Sequence, residues 1–573
     1  LVSLIFLIQC TTISNKTESS VPTRALNADI TRQDFKASGK RYALSTQGRH
    51  TTRIAAEILK QGGNLIDAAI AASFAISVER PQSTGLGGGG FLIYHEAKTG
   101  KVYALDFRER APLKSSEKMF LNAKGQPDNS KSQDSIFATA TPGLVRGLSE
   151  IHKKFGTLPF SKLVEPAAQL AEQGFEVYSE FFEALKDRHK ILQKNPASRA
   201  IFLTPQGDPL PLGFKLVQKD LAMTLRILAK EGPQAFYEGS IAKKIIQYSK
   251  SQNGILSAED LKSYQVHWRD PLKGSFKGYD VFSMPPPSSG GVHVLQFLNM
   301  LEKDELAKSG FLSTRALHLE ASAMQSAFAD RAQYLGDPDF VKVPVEGLLD
   351  KNYALKRRRE FDERAARSAH AVQAGHPMGY ESSDTTHFSM MDSEGNAVSS
   401  TQTINGWMGS GHVVPGTGIV LNNEMDDFSA QVGAQNMFGA VGSKANAVAP
   451  KKTPLSSMSP TILVKNQKPV LAVGAPGGTR IISCVAQTIF NVIEFGLPLD
   501  QAISSVRLHQ QWRPDRLLIE PPGPNPQVLE ELKAMGHNIE LKPVGCKVMA
   551  VQNENGALKA VSDPRDIGAA WGE

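Results

Sequence analysis

Between Thr51 and Arg80 the apolar residues of TTRIAAEILKQGGNLIDAAIAASFAISVER recur at helical spacing, and Gly62-Gly63 divides the stretch into two predicted helices. PGLVRGLSEIHKKFG, FSKLVEPAAQLAEQGF, QKDLAMTLRILAKEG and RALHLEASAMQSAFADRAQYLG repeat the i, i+3, i+4 pattern, so the region from about 140 to 370 reads as mostly helical. Ser257-Ala258-Glu259-Asp260 has the form of a capping box. From residue 384 the period shortens to that of strands, in THFSMMD, AVSSTQTI, GIVLNN, PTILVKN and PVLAVGAP, punctuated by glycine turns. Another helix, TRIISCVAQTIFNVIEFG, and a final mixed segment follow. Helices first and strands later, with no internal repeat, predict a layered α/β fold.

The junction STGLGGGGFLIYHE satisfies Gly85-x-Gly87-x-x-Gly90 in form, but a helix precedes it and a strand follows. A dinucleotide site needs the reverse order, so the run is a tight glycine corner feeding a hairpin whose second strand is KVYALDF. A second hairpin joins TTHFSMM to AVSSTQTIN through Asp392-Ser393-Glu394-Gly395-Asn396. With its turn centred between Glu394 and Gly395, partners sum to about 789, which sets Thr403 opposite Thr386 and beside Thr385.

Composition narrows the classes. At 573 residues and 41% hydrophobic, the chain can bury a large core. The net charge of +7 is interspersed except at Lys356-Arg357-Arg358-Arg359, which reads as a solvated helix face and not as a nucleic-acid patch. Cys10, Cys484 and Cys546 are far apart and lack ligand spacing, so neither a disulfide framework nor a metal site is expected; Cys484 reads as a packed core thiol. The opening LVSLIFLIQC resembles the apolar part of an export signal without its Met and basic start, too short to span a bilayer. Cys10 ends it as the lipidated cysteine ends a lipoprotein signal, although Gln9 is an unusual neighbour; an ordinary signal or a mis-assigned start reads equally. Residues 11 to 35 form a polar tether, in which Asn15-Lys16-Thr17 fits a sequon of little weight.

The chemistry concentrates at Ser383-Asp384-Thr385-Thr386-His387, two threonines ahead of a strand with no base assigned to them. A threonine hydroxyl attacks only when another group takes its proton. Read alone, this is a threonine-rich strand pair, Gly477-Gly478 is a strand-to-helix turn, Arg108 a surface ion-pair residue and Glu424-Met425-Asp426-Asp427 an acidic turn.

The segment Thr385 to Asn405 closely resembles the signature of gamma-glutamyltransferases (gamma-glutamyl transpeptidases), which are N-terminal nucleophile hydrolases. The likeness extends through DFRERAP, PGTGIVLNNEMDDFSA, TPLSSMSPTI and GAPGGTRI, in the family's order. It implies a four-layer αββα sandwich, one structural unit made of two autoprocessed subunits, with a leader at 1–35, a large subunit at 36–384 and a small subunit at 385–573. The cut would fall between Asp384 and Thr385, run by the Thr385 hydroxyl itself, and would free an α-amine of pKa about 8 as the missing base. No cofactor is implied.

The resemblance also assigns roles. Thr385 is the nucleophile and Thr403 orients it; Gly477 and Gly478 stabilise the oxyanion. Arg108, Ser456 and Ser457 hold the substrate's α-carboxylate, while Glu424, Asp427 and Asn405 accept from its α-ammonium. Substrates would be glutathione and other γ-glutamyl compounds, with water, amino acids or peptides as acceptors, and the enzyme would be exported to the periplasm or cell surface. Two departures stand out. Met408-Gly409 replaces an aromatic-glycine pair, and Phe438 stands in the lid-like loop SAQVGAQNMFGAVGSKANAV where a tyrosine is common; a phenyl ring cannot hydrogen-bond to Asn405. A related glutaryl or cephalosporin acylase and an unprocessed binding protein are the competing readings.

Overall fold

Alternation of side chains along its strands decides how this chain layers. The computed structural model describes residues 35–375 and 386–573; Cys10, the Asn15 sequon, Asp384 and Thr385 lie outside the described residues. In chain order the principal strands are β1 (Lys36–Gly39), β2 (Tyr42–Thr46), β3 (Gly89–His95), β4 (Val102–Asp106), β5 (His267–Arg269), β6 (Leu272–Phe276) and β7 (Tyr279–Ser283). They continue with β8 (Thr386–Asp392), β9 (Ala397–Thr403), β10 (Thr461–Lys465), β11 (Lys468–Gly474), β12 (Met549–Glu554), β13 (Ala557–Ser562) and β14 (Ala569–Gly572). One antiparallel sheet runs β14-β2-β8-β9-β3-β4-β5 and the other β1-β13-β12-β11-β10-β7-β6.

The sheets pack face to face. Phe91, Ile93, Met391 and Ala397 of the first meet Ile462, Ala472, Val551 and Ala560 of the second. Residues one step away point outward: Phe388, Met390 and Val398 join a core with α1 (Arg49–Lys60) and α2 (Leu65–Glu79). Leu463, Leu471 and Val473 join another with α3 (Gly290–Leu301), α4 (Thr314–Tyr334) and α5 (Arg480–Ile493). This is the expected αββα sandwich. Both sheets take strands from either side of residues 376–385, through the pairs β2–β8, β3–β9, β7–β10 and β1–β13. A cut there would sever no sheet.

Gly62-Gly63 does separate α1 from α2, and Asn64 caps α2 in a capping box with Asp67. Ser257 and Asp260 form the expected box on the helix Ala258–Lys262. Three expectations need correction. The β8–β9 register sums to 788, so Thr386 faces Gln402 and Thr403 stands one step beyond. Cys484 is not a free thiol: it is disulfide-bonded to Cys546, 62 residues away, because α5 and the loop before β12 pack together. Lys356 to Arg359 is not a uniformly solvated face. Arg357 is buried, paired with Asp330 and Glu360 and donating to the Ser326 and Gln373 carbonyls, and Arg358 is clamped by Asp304. Among the described residues no helix is long and apolar enough to cross a membrane.

Candidate active site

The glycine corner is what lets the site assemble. A Cβ on Gly88 would stand 1.8 Å from the Thr403 carbonyl oxygen, and one on Gly89 would collide with the Phe107 carbonyl at 2.5 Å and the Glu109 carboxyl at 2.6 Å. Bare backbone here brings the end of β9, with Thr403, against the loop that carries Arg108 and Glu109. The Thr403 hydroxyl accepts the Asn405 N–H at 2.7 Å, and Asn405, in the left-handed region at φ 71°, donates its side-chain amide to the Asn423 carbonyl at 3.0 Å. Asn423 precedes the short 3-10 turn Glu424–Asp427. Thr403, Asn405 and the acidic turn are thus linked by consecutive hydrogen bonds.

Arg108 is fully buried at the centre of this cluster. Its guanidinium pairs with Glu424 at 2.5 Å and Asp427 at 2.7 Å, with Glu109 at 3.9 Å. It also donates to the carbonyls of Pro454 at 3.1 Å and Leu455 at 3.3 Å, which fixes it beside Ser456-Ser457. The serine loop is itself held by Ser288-Ser289: the Ser289 N–H donates to the Ser456 carbonyl at 2.7 Å and the Ser288 hydroxyl to the Met458 carbonyl at 2.6 Å. All the expected carboxylate and ammonium contacts, Arg108, Asn405, Glu424, Asp427, Ser456 and Ser457, therefore converge.

Glu109 and the Ser288-Ser289 brace were not singled out from the sequence. The first is adjacent to Arg108 in DFRERAP; the second precedes a buried helix in PPPSSGG, a composition that signals a turn but not what it touches.

One guanidinium faces three carboxyls. Burial pushes the Glu109 carboxyl up to about 7, against the pull of Arg108. Burial also holds Glu424 well above the ordinary value against the pull of Arg108, with Glu109 and Asp427 adding to the rise. The fold binds these protons more tightly than the unfolded chain does. The stabilisation is therefore complete below the ordinary value of 4.5 and is lost as pH rises through about 7. The Glu109 contribution to the apparent Tm of the unliganded protein is expected to fall away between about pH 4.5 and 7, and Glu109→Gln to flatten that fall; thermal scans across pH check it.

His387 follows the two threonines but is not their base. Its ring lies between the sheets, bonded to the hydroxyls of Thr401 and Ser389 at 2.9 Å each, and burial lowers its pKa to about 3. Gly474 makes room for it, since a Cβ there would stand 2.4 Å from the ring. Gly477 and Gly478, at φ 134° and 66°, form the turn into α5 as expected, in a conformation that favours glycine. Among the described residues no group of His, Cys, Asp or Glu is placed to hold a metal ion.

A cavity of about 300 Å³ opens over Asn405 and Gly477, with Trp407, Phe438, Arg480 and Lys547 on its walls. Phe438 sits at the tip of a turn closed by Asn436, whose side chain accepts the Phe438 N–H at 3.0 Å and donates to Asp427 at 3.1 Å. Met437 makes the contact that Phe438 cannot: its sulfur lies 3.8 Å from the Asn405 amide nitrogen. Met408 is buried in the α1–α2 core at φ 58° and does not line the cavity.

Comparison with known proteins bears on what this site does. The family model described as gamma-glutamyltranspeptidase matches residues 51–573. The chain is 45% identical over 518 residues to a glutathione hydrolase proenzyme of Escherichia coli (strain K12), covering 90% of this chain and 89% of that one. It is 37% identical over 522 residues to the Acylase ACY 1 proenzyme of Pseudomonas sp. (strain SE83), covering 90% of each. Among solved structures, the cephalosporin acylase from Bacillus halodurans superimposes with a TM-score of 0.84 at 27% identity, over 98% of this chain and 99% of that one.

Proposed function

The chain belongs to the gamma-glutamyltranspeptidase family, and from that premise we propose how its residues carry out the chemistry. The protein is a glutathione hydrolase and gamma-glutamyltransferase made as a proenzyme. We assign the cut to the Asp384–Thr385 bond, giving subunits 36–384 and 385–573. The interleaving of strands from both sides in each sheet supports their staying together.

In our reading, the freed α-amine of Thr385 takes the proton of its own hydroxyl, and the Thr385 oxygen attacks the γ-carbonyl. The backbone N–H groups at Gly477 and Gly478 meet the oxyanion. The amine part leaves, and a threonyl γ-glutamyl ester remains. Water, or the amino group of an amino acid or peptide, then resolves it. Thr403 orients the nucleophile's hydroxyl.

The observation that carries the donor assignment is the buried Arg108–Glu424–Asp427 cluster against the Ser456-Ser457 loop. A guanidinium and surplus carboxyls in one cluster suit a zwitterionic amino-acid end, with the α-carboxylate entering on the Arg108 and serine side and the α-ammonium on the Asp427 and Asn405 side. A glutaryl chain has no ammonium and would leave these carboxyls unmatched. The two donors should therefore differ in kcat/KM by about 10³-fold or more. Comparing turnover of γ-glutamyl and glutaryl anilides tests this; equal turnover would favour the acylase reading.

For location, we propose export to an oxidising compartment, with Cys10 as a lipid attachment point. The apolar run ending at Cys10 supports the first part, and so does the buried Cys484–Cys546 disulfide. Metabolic labelling with a fatty acid, absent in Cys10→Ser, tests the second.

A further inference from the structure

Gly477 has the backbone of Cys546 pressed against its Cα. A methyl group there would stand 2.9 Å from both Cα and Cβ of Cys546. Cys546 is in turn bonded to Cys484, with Cα atoms 6.6 Å apart and both residues fully buried. Cys484 belongs to α5, whose first turn is built on the same glycines: Arg480 N–H donates to the Gly477 carbonyl at 3.3 Å and Ile481 N–H to that of Gly478 at 3.0 Å. The covalent path from Gly477 along α5 to Cys484, across the sulfurs to Cys546, ends in van der Waals contact with Gly477 again.

The disulfide is therefore not a remote staple. Gly545 and Lys547, on either side of Cys546, line the cavity together with Gly477. The outer side of this loop has its own anchors. Arg507 donates to the Cys546 carbonyl at 3.0 Å and to Asp563 at 2.7 Å, and Val548 N–H donates to the same Asp563 oxygen at 2.8 Å. On the inner side, the contact with Gly477 and the bond to Cys484 hold it. Two consecutive glycines have no side chains to restrict their backbone, so the direction of their N–H groups depends on what is packed against them.

We propose that the Cys484–Cys546 disulfide is a positioning element for catalysis, holding the 545–547 loop against Gly477 and so aiming the oxyanion donors. The inference rests on the oxyanion role given above to Gly477 and Gly478. Once the bond is broken, the 545–547 loop is no longer tied to α5 on its inner side, and Gly477 loses the fixed wall that sets its orientation. Oxyanion stabilisation requires donors already aimed at the developing charge, and small displacements are costly. The effect should fall on kcat, because Arg108 and the acidic turn, which bind the donor, are held by other contacts.

The test uses the mature two-subunit enzyme. A trialkylphosphine reduces the disulfide with water, giving one phosphine oxide and two thiols, which N-ethylmaleimide and mass spectrometry count. With a γ-glutamyl anilide, kcat is expected to fall about 10-fold in step with the thiol count, KM to stay within about twofold, and reoxidation to restore activity. Cys484→Ala/Cys546→Ala should show the same split. An unchanged kcat with only a lowered Tm would make the bond merely structural and overturn the proposal, as would finding both thiols free in the active enzyme as isolated. Should the double variant fail to mature, the phosphine titration decides; should the buried bond resist the phosphine, the variant decides. Gly478→Ala, which keeps the N–H but disfavours the φ of 66° that aims it, separates the premise from the inference: normal kcat there overturns the premise that the aim of these donors matters, whereas a loss there with unaffected reduced enzyme overturns only the role of the disulfide.

Discussion

Thr385→Ala is expected to accumulate as one uncut chain of about 62.1 kDa and to lose γ-glutamyl turnover by about 10⁴-fold or more. Both effects come from one atom. The hydroxyl that attacks the substrate's γ-carbonyl in our reading is the one that attacks the Asp384 carbonyl in the precursor, and without it no α-amine is freed. An amide nitrogen at that position cannot act as the base. His387, next but one in sequence, does not substitute: it is held between the sheets by Thr401 and Ser389 with its pKa lowered to about 3 by burial. The variant should fold normally, since residues Thr386 to Asp392 carry the described pairing of β8 with β2 and β9. Denaturing gels, N-terminal sequencing and an anilide assay check it. Two bands from Thr385→Ala, or a small subunit of the parent enzyme that begins elsewhere than Thr385-Thr386-His387, would overturn the assignment. Thr385→Ser, which keeps a hydroxyl, should still be cut.

What the sequence made legible follows from which interactions are local. The helix pair around Gly62-Gly63, the Ser257 capping box and the β8–β9 hairpin depend on residues a few positions apart, and each was readable. The hairpin register missed by one, because the position of the turn's centre within Asp392 to Asn396 is set by side-chain bonds of Asp392 to the Gly395 and Asn396 amides. Such bonds are invisible in a strand pattern. The glycine corner was readable as a turn, but not as the place where Thr403 and Glu109 come together, since that is a contact between segments about 300 residues apart. The disulfide was missed for the same reason. Cys484 sits in an apolar helix and Cys546 in a loop, and only the packing of α5 against β12's approach brings them together. Arg357 was misread because three neighbouring cations suggest solvent, whereas helical rotation carries one of them inward onto Asp330. The proposed substrate contacts Arg108, Glu424 and Asp427 were legible only through the resemblance; taken singly, Arg108 reads as a surface ion-pair residue and the two acids as part of an acidic turn.

On the proposed reading, Arg108 couples binding to stability. Its guanidinium makes two close ion pairs and donates to two carbonyls, all without solvent exposure. Arg108→Met would leave Glu109, Glu424 and Asp427 facing one another in a buried pocket, at a cost of about 3–5 kcal/mol. The cluster can relieve part of that by taking up protons, since Glu109 and Glu424 already sit above the ordinary carboxylate range and Arg108 is what holds them down. That response makes a readout. In Arg108→Met the loss of Tm should be smallest at acid pH, where the carboxyls are neutral, and should grow as pH rises through 7. Arg108→Lys is the gentler probe: it keeps the charge, but a single ammonium cannot span Glu424, Asp427 and the Pro454 and Leu455 carbonyls as the planar fork does. It is expected to be processed and folded, with kcat/KM for a γ-glutamyl anilide lower by about 10²–10³-fold, carried mainly by KM. Adding Asp427→Asn to Arg108→Met should recover stability, because one unpaired acid is removed, without recovering binding, because the ammonium partner goes with it. If Arg108→Lys kept the parent KM, the carboxylate-binding role would fall, and the cluster would have to be read as a structural ion network.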